Sequence, residues 1–211
     1  MTAAAITACC TSTILTRPVA QAAKSAIDRL IAGLALVMLA PLLALVVLAI
    51  RLDSRGPALF RQARTGKDGR VFAILKFRTM TPGAGLAQAT RNDARVTRVG
   101  SWLRRSSIDE LPQLWNVLRG EMALVGPRPH ATAHDAHYAP HIANYTLRYA
   151  VKPGLTGWAQ INDARGETET LDKMARRVAL DLDYITGWTL RRDLMILALT
   201  PIRLLTARDA Y

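Results

Sequence analysis

The 211-residue sequence predicts a mainly helical α+β protein with a small antiparallel sheet and one membrane-embedded segment. Three observations carry this expectation. Leu30–Ile50 is an apolar run of 21 residues without a charge. As a helix rising about 1.5 Å per residue it reaches roughly 30 Å, the thickness of a bilayer's hydrocarbon core. Downstream, apolar side chains recur at helical spacing: Val99, Trp102 and Leu103; Leu111, Leu114, Trp115 and Leu118; Met174, Val178, Leu182 and Ile185. Finally, Leu59-Phe60-Arg61 and Val71-Phe72-Ala73-Ile74-Leu75 flank the turn-rich Gly66-Lys67-Asp68-Gly69, the pattern of a β-hairpin.

The chain holds 28 Lys and Arg against 16 Asp and Glu, a formal charge of +12. That balance predicts an anionic partner: nucleic acid, anionic lipid or a phosphorylated substrate. An aromatic content of 6% and the absence of any nucleic-acid signature weigh against nucleic acid. The two cysteines, Cys9 and Cys10, are neighbours, which implies no disulfide framework and a reducing compartment. The length suits one domain plus appendages.

Residues 1–23 are small and polar, lack the pattern of a signal peptide, and read as a mobile tail. Lys24 and Arg29 precede the apolar run and Arg51 and Arg55 follow it, so the positive-inside rule gives no orientation. Pro41, near its middle, removes a helical hydrogen bond. A kinked span would put the two ends on opposite faces of a membrane; a helix that enters and returns would keep both on one face. A soluble core helix is disfavoured because the run is apolar on all sides. After the hairpin come Lys76 and Arg78, read either as a solvated basic edge or as contacts for phosphate. Residues 81–92 read as a flexible loop. Leu190–Leu205, with Pro201 inside, is too short in its apolar part to span and reads as a surface-docking helix.

The candidate site is the stretch from Ser106 to Pro129. Asp109 and Glu110 stand at the expected start of a helix over Leu111–Leu118, after Arg104 and Arg105 and before Pro127-Arg128-Pro129. A helix N-terminus favours carboxylates and phosphates alike. From spacing alone, capping is the favoured role: Ser107 and Glu110 fit the Ser-x-x-Glu box, and Asp109 can itself be the N-cap. A capping carboxylate can still face a substrate, and the flanking arginines make a phosphoryl-transfer site conceivable. His134, His137 and His141 can share a helical face, with His130 just before. Without cysteines, and with Pro140 between them, they read as a wet helix rather than a metal cluster. Pro153-Gly154-Leu155-Thr156-Gly157 reads as a tight, backbone-exposed loop. Trp158 after it reads equally as a buried packing residue or as one stacking on a base or a membrane interface. Asp183 reads as solvated or paired with Arg177.

Four motifs occur in order: Lys76-Phe77-Arg78-Thr79-Met80, Asp109-Glu110-Leu111-Pro112-Gln113-Leu114-Trp115-Asn116-Val117-Leu118, Val125-Gly126-Pro127-Arg128-Pro129, and Pro153-Gly154-Leu155-Thr156-Gly157-Trp158-Ala159-Gln160. Together they make the chain, from about Lys24 to about Leu205, resemble the bacterial sugar transferases, the monotopic phosphoglycosyl transferases. The resemblance implies a fold of residues 24–56 as a re-entrant membrane helix hairpin bent at Pro41, where Ala40 replaces a more usual Ser. It implies residues 57–211 as a cytoplasmic catalytic domain on the bacterial inner membrane. Longer relatives carry a large N-terminal membrane module that a chain of this size is expected to lack.

The implied reaction moves sugar-1-phosphate from a UDP-sugar to undecaprenyl phosphate, a polyprenyl phosphate, and releases UMP. Asp109 would be the nucleophile, forming a covalent phosphosugar enzyme, and also a ligand of Mg²⁺. Glu110 would be the second catalytic carboxylate. Lys76, Arg104, Arg128, Arg165 and Asp181 would be the substrate- and phosphate-binding residues, although Asn162-Asp163 stands where many members have Asn-Gly. His130-Ala131 and Arg165-Gly166-Glu167-Thr168 look most like members that start exopolysaccharide repeats, which makes UDP-glucose or UDP-galactose the expected donor. Anionic membrane lipid is an expected partner, nucleic acid is not, and a homodimer is left open. Two competing readings are a catalytically silent membrane anchor and a basic nucleic-acid-binding protein; intact Asp109, Glu110, Arg128 and Arg165 oppose the first and the apolar run opposes the second.

Overall fold

The computed structural model describes residues 18–81, 93–164, 166 and 170–206. Its first element, α1 (Pro18–Asp53), is a single 36-residue helix. Six residues of the expected tail are therefore helical, begun by a proline whose fixed φ suits a first turn. α1 remains helical through Pro41, and no separate return helix is present. Its side chains divide by face. Ala32, Val46 and Ile50 are buried, while Leu30, Leu34, Leu45 and Leu52 are exposed, with Val37 at 76% and Met38 at 80%.

The expected hairpin is present. β1 (Leu59–Thr65) and β2 (Val71–Phe77) pair antiparallel, Leu59 opposite Phe77 and Thr65 opposite Val71. A short 3-10 turn over Lys67–Gly69 joins them, with Asp68 at φ 56° and Gly69 at φ 74°. The loop expected over residues 81–92 lies, but for Thr81, outside the described residues.

α2 (Arg98–Ser106) starts at Thr97, whose side chain accepts the Gly100 N–H at 3.0 Å. Ser107 turns into the left-handed region at φ 57° and ends it. The residues before Pro112 form a 3-10 turn, Ile108–Glu110, and α3 is shorter than expected, Gln113–Leu118. The Ser107 side chain makes no cap hydrogen bond to this turn, and Glu110 is engaged elsewhere, so there is no capping box. The apolar stripe of α3 is split: Leu114 and Val117 are buried, Trp115 and Leu118 exposed.

A second sheet was not expected. β3 (Ala123–Val125) and β4 (Gly154–Thr156) pair in parallel. The Pro-Gly-Leu-Thr-Gly segment is thus a buried strand, not an exposed loop. Its glycines serve backbone contact: a Cβ on Gly154 would lie 2.1 Å from the Gly126 nitrogen, and one on Gly126 would lie 2.5 Å from the Lys152 carbonyl oxygen. Between these strands run α4 (Thr132–Tyr138) and a 3-10 segment, Tyr145–Ala150. α5 (Trp158–Ile161), α6 (Leu171–Thr186) and α7 (Leu190–Thr206) complete the described fold.

The central core joins Ala32 of α1, Ile74 of β2, Leu114 and Val117 of α3, Leu124 and Val125 of β3, Ile185 of α6 and Ile196 of α7. A second cluster packs Val46 and Ile50 of α1 against Ala58, Phe77 and Leu103. The apolar helix is therefore docked on the domain near both of its ends. Lys24 reaches Asp193 at 2.6 Å, and the Arg78 guanidinium donates to the Ser54 carbonyl at 2.7 Å.

Candidate active site

The 3-10 geometry separates the two adjacent carboxylates. At about three residues per turn, neighbours point roughly 120° apart. Glu110 turns toward β2 and the Pro127-Arg128-Pro129 loop. Its Oε1 accepts from Lys76 Nζ at 2.8 Å and its Oε2 from the Arg128 guanidinium at 3.0 Å, while the second Arg128 nitrogen closes the fork on Oε1. Burial pushes the Glu110 carboxyl up, but Arg128 and Lys76 together outweigh burial and hold it well below the usual carboxylate range. Glu110 in turn raises the affinity of Arg128 for its proton.

Asp109 has the opposite environment. Among the described residues no hydrogen bond holds its carboxylate. Burial, with the negative charge of Glu110, pushes its pKa up to about 6, against the pull of Lys76, Arg128 and Arg104. One carboxylate is thus locked in ion pairs, and the other is half-buried, unbonded and surrounded by cations. A phosphate-bearing substrate entering this place would meet positive charge and one uncommitted oxygen nucleophile.

The loop carrying Arg128 is held from behind. Arg148, on the 3-10 segment, pairs with Asp181 of α6 at 2.6 Å, and both side chains are 2% exposed. The same guanidinium donates to the Arg128 carbonyl at 2.7 Å and to His130 Nδ1. Tyr145 completes the set, touching His130 Nδ1 at 2.7 Å and donating to Asp135 at 2.7 Å. Burial, reinforced by Arg148, keeps His130 neutral. On the other flank, Arg64 of β1 donates to the Pro129 carbonyl at 3.1 Å. Burial and the nearby Arg128 lower the Arg64 pKa to about 10. Asn116 of α3 braces β2 by accepting the Leu75 N–H at 3.0 Å and donating to the Ala73 carbonyl at 2.8 Å.

The family model for bacterial sugar transferases matches residues 19–207. The chain belongs to this family. It is similar to the UDP-glucose:undecaprenyl-phosphate glucose-1-phosphate transferase of Caulobacter vibrioides, 56% identical over 89% of this chain and 72% of that protein. The protein of the same description from Escherichia coli is 50% identical over 89% of this chain. The exopolysaccharide production protein PSS of Rhizobium leguminosarum is 43% identical over 84% of this chain and 92% of its own length. Several relatives are much longer: the chain spans 41% of the Escherichia coli protein.

In this sugar transferase the fold brings Lys76, Glu110 and Arg128 into contact, with Asp109 and Arg104 beside them. Asp181 is placed differently from a group that faces a substrate: it is 1% exposed and reaches the loop through Arg148. Arg165 lies outside the described residues. Its neighbours are fixed by Arg177, which donates to the Ala164 carbonyl at 2.9 Å and the Gly166 carbonyl at 2.8 Å. Asp183, expected to be solvated or paired with Arg177, is 58% exposed at its side chain and pairs with Arg192. Asp163, where many members have Gly, sits at φ 58°, in the left-handed region that Asp tolerates better than most residues. Trp158 is half-buried under the Arg192 guanidinium, 4.2 Å above its ring. His137 of α4 lies beside His141, their ring centroids 5.9 Å apart and tilted by 42°, and among the described residues no group of three or more His, Cys, Asp or Glu has metal-holding geometry. Sequence reasoning missed Arg64, Asn116, Arg148 and Arg177. Each acts through contacts to residues eleven or more positions away, which no local spacing announces.

Proposed function

We propose that this transferase moves glucose-1-phosphate from UDP-glucose to undecaprenyl phosphate, releasing UMP, and so begins an exopolysaccharide repeat. The observation that carries the reading is the split of Asp109 and Glu110 into an uncommitted carboxylate and an ion-paired one. UDP-galactose is the nearest competing donor; the names of the relatives favour glucose.

In this mechanism an Asp109 oxygen attacks the sugar-bearing phosphorus. The bond to the bridging oxygen breaks, UMP leaves, and a phosphosugar remains on Asp109. An oxygen of the polyprenyl phosphate then attacks the same phosphorus, releasing Asp109 and forming the lipid diphosphate sugar. Splitting the transfer into two displacements lets one site serve both substrates in turn. Arg128, Arg104 and Lys76 bind and spread the charge on the phosphate oxygens, and Arg165 is assigned the same work. Glu110 holds Arg128 and Lys76 in place. The free Asp109 oxygens, with substrate diphosphate, offer the hard oxygen donors that Mg²⁺ prefers, and a bound Mg²⁺ would neutralise charge on the transferring phosphate.

The same proposal places the protein on the cytoplasmic face of the bacterial inner membrane, with α1 entering and returning at a bend at Pro41. Two features support this: the exposed apolar face of α1, and the docking of Lys24 and Ile50, one from each end of the helix, on one domain. The test is UMP release by the detergent-solubilised protein with Mg²⁺, undecaprenyl phosphate and each UDP-sugar in turn. Release dependent on lipid with UDP-glucose alone supports the assignment. Folded protein that releases nothing with any donor refutes it and favours a silent membrane scaffold.

A further inference from the structure

A cavity of about 90 Å³ lies away from the reacting carboxylates, between the first turns of α1, the hairpin turn and Trp188. On a scale where one water needs about 10–15 Å³, it admits a group of several heavy atoms. Its polar rim includes Lys24, Ser25, Lys67, Lys152 and one carboxylate, Asp28; Val151, Ile185 and Trp188 form an apolar wall. The two nearby carboxylates are already engaged. Asp28 and Asp193 both pair with Lys24, at 3.3 and 2.6 Å, and Asp193 also accepts from Tyr184 at 2.7 Å and Trp188 at 3.1 Å. Among the described residues, Lys152 donates to the neutral Ser25 hydroxyl, at 3.1 Å. Among the described residues no carboxylate pairs with Lys67 or Lys152. Burial, with Arg29 and Lys67 nearby and Asp28 opposing, lowers the Lys152 pKa. Farther round α1, on the side turned away from the domain, Ile27 and Leu30 are 45% and 64% exposed.

A cationic rim and an apolar wall, on a helix whose outer face is apolar, together match a phosphate carried on aliphatic chains. We propose that this cavity binds the headgroup of an anionic phospholipid, with Lys67 and Lys152 on its phosphate and its acyl chains along the outer face of α1. The proposal rests on the membrane placement argued above. The site is distinct from that of the acceptor lipid phosphate. Lys67 lies at the hairpin turn and Lys76 near its open end, so roughly 20 Å of strand separates them. An acidic lipid here would hold the polar end of α1 against α7, next to the Lys24–Asp193 bridge.

The experiment counts lipids retained by the purified full chain from an equimolar mixture of dioleoylphosphatidylglycerol and dioleoylphosphatidylcholine, by native mass spectrometry. Wild type is expected to retain the anionic lipid about fivefold or more in preference, since each lysine near a phosphate contributes on that scale. Lys67→Glu and Lys152→Gln are expected to lose the preference, and Lys152→Arg to keep it. UMP release in detergent is expected to be unchanged in all three, which shows that they are folded. An unchanged preference in both loss variants overturns the proposal. Displacement of the lipid by inorganic phosphate would assign the cavity to a free anion and also overturn it. Loss of UMP release in Lys67→Glu, with wild type active, would make the cavity part of the acceptor site instead. A wild type that binds phosphatidylglycerol but releases no UMP would count against the proposed reaction while leaving the lipid site standing.

Discussion

At Asp109 and Glu110 one local field drives two neighbouring carboxyl groups in opposite directions. Asp109, raised to about 6, must be ionised to attack phosphorus, so kcat/KM for UMP release is expected to fall about tenfold per pH unit below that value. The same shift has a cost in stability. Because the folded pKa lies above the ordinary 3.8, ionised Asp109 destabilises the fold, with no penalty below about 3.8 and the full penalty above about 6. After allowance for partial exposure this amounts to about 1–2 kcal/mol. Asp109→Asn is therefore expected to abolish UMP release and yet to melt a few degrees higher than wild type at pH 7.5. Thermal scans at pH 7.5 and pH 4 check it, the difference vanishing at the lower pH. The pair Asp109-Glu110 was legible in the sequence as a site, but its division of labour was not. A capping box and a 3-10 turn share the same residues, and only Lys76 and Arg128, 34 and 18 positions away from Glu110, decide between them.

Among the elements, β3 and β4 carry the Arg128 loop, and their pairing depends on backbones that nearly touch. Gly154→Ala is expected to cost about 2–3 kcal/mol, since the new methyl meets the Gly126 nitrogen and the two backbones cannot separate without breaking the ladder. Chemical denaturation measures this. Behind the same loop, Arg148→Met would leave Asp181 buried without a partner, an expected loss of about 3–5 kcal/mol. Adding Asp181→Leu is expected to restore most of the stability. The double variant should still show a raised KM for the UDP-sugar, because the Arg128 carbonyl has lost its donor. Denaturation and steady-state kinetics on the single and double variants separate the two effects. The hairpin and the long helices were legible because periodicity and turn residues are local signals. β4 was not: three residues flanked by Pro and Gly look like a loop until a parallel partner, some thirty positions away, buries them.

For the whole molecule, the apolar run of α1 announced a membrane protein from sequence, while its path in the bilayer depends on contacts that sequence does not carry. With Cys9 and Cys10 replaced by Ser, single cysteines at Ala22 and Ser54 are both expected to react with a membrane-impermeant thiol reagent from the cytoplasmic side. A helix that crosses the bilayer would expose the two positions to opposite compartments. The Lys24–Asp193 bridge, spanning 169 positions, also has a consequence in time. At translation rates of about 5–20 residues per second, roughly 10–30 s pass between synthesis of its two partners. Throughout that interval α1 must already sit in lipid or be shielded by a helper, while its polar end still lacks the carboxylate on α7. On the proposed membrane placement α1 must therefore be kept from water before the helix that fastens its polar end, the last of the described helices, has been made.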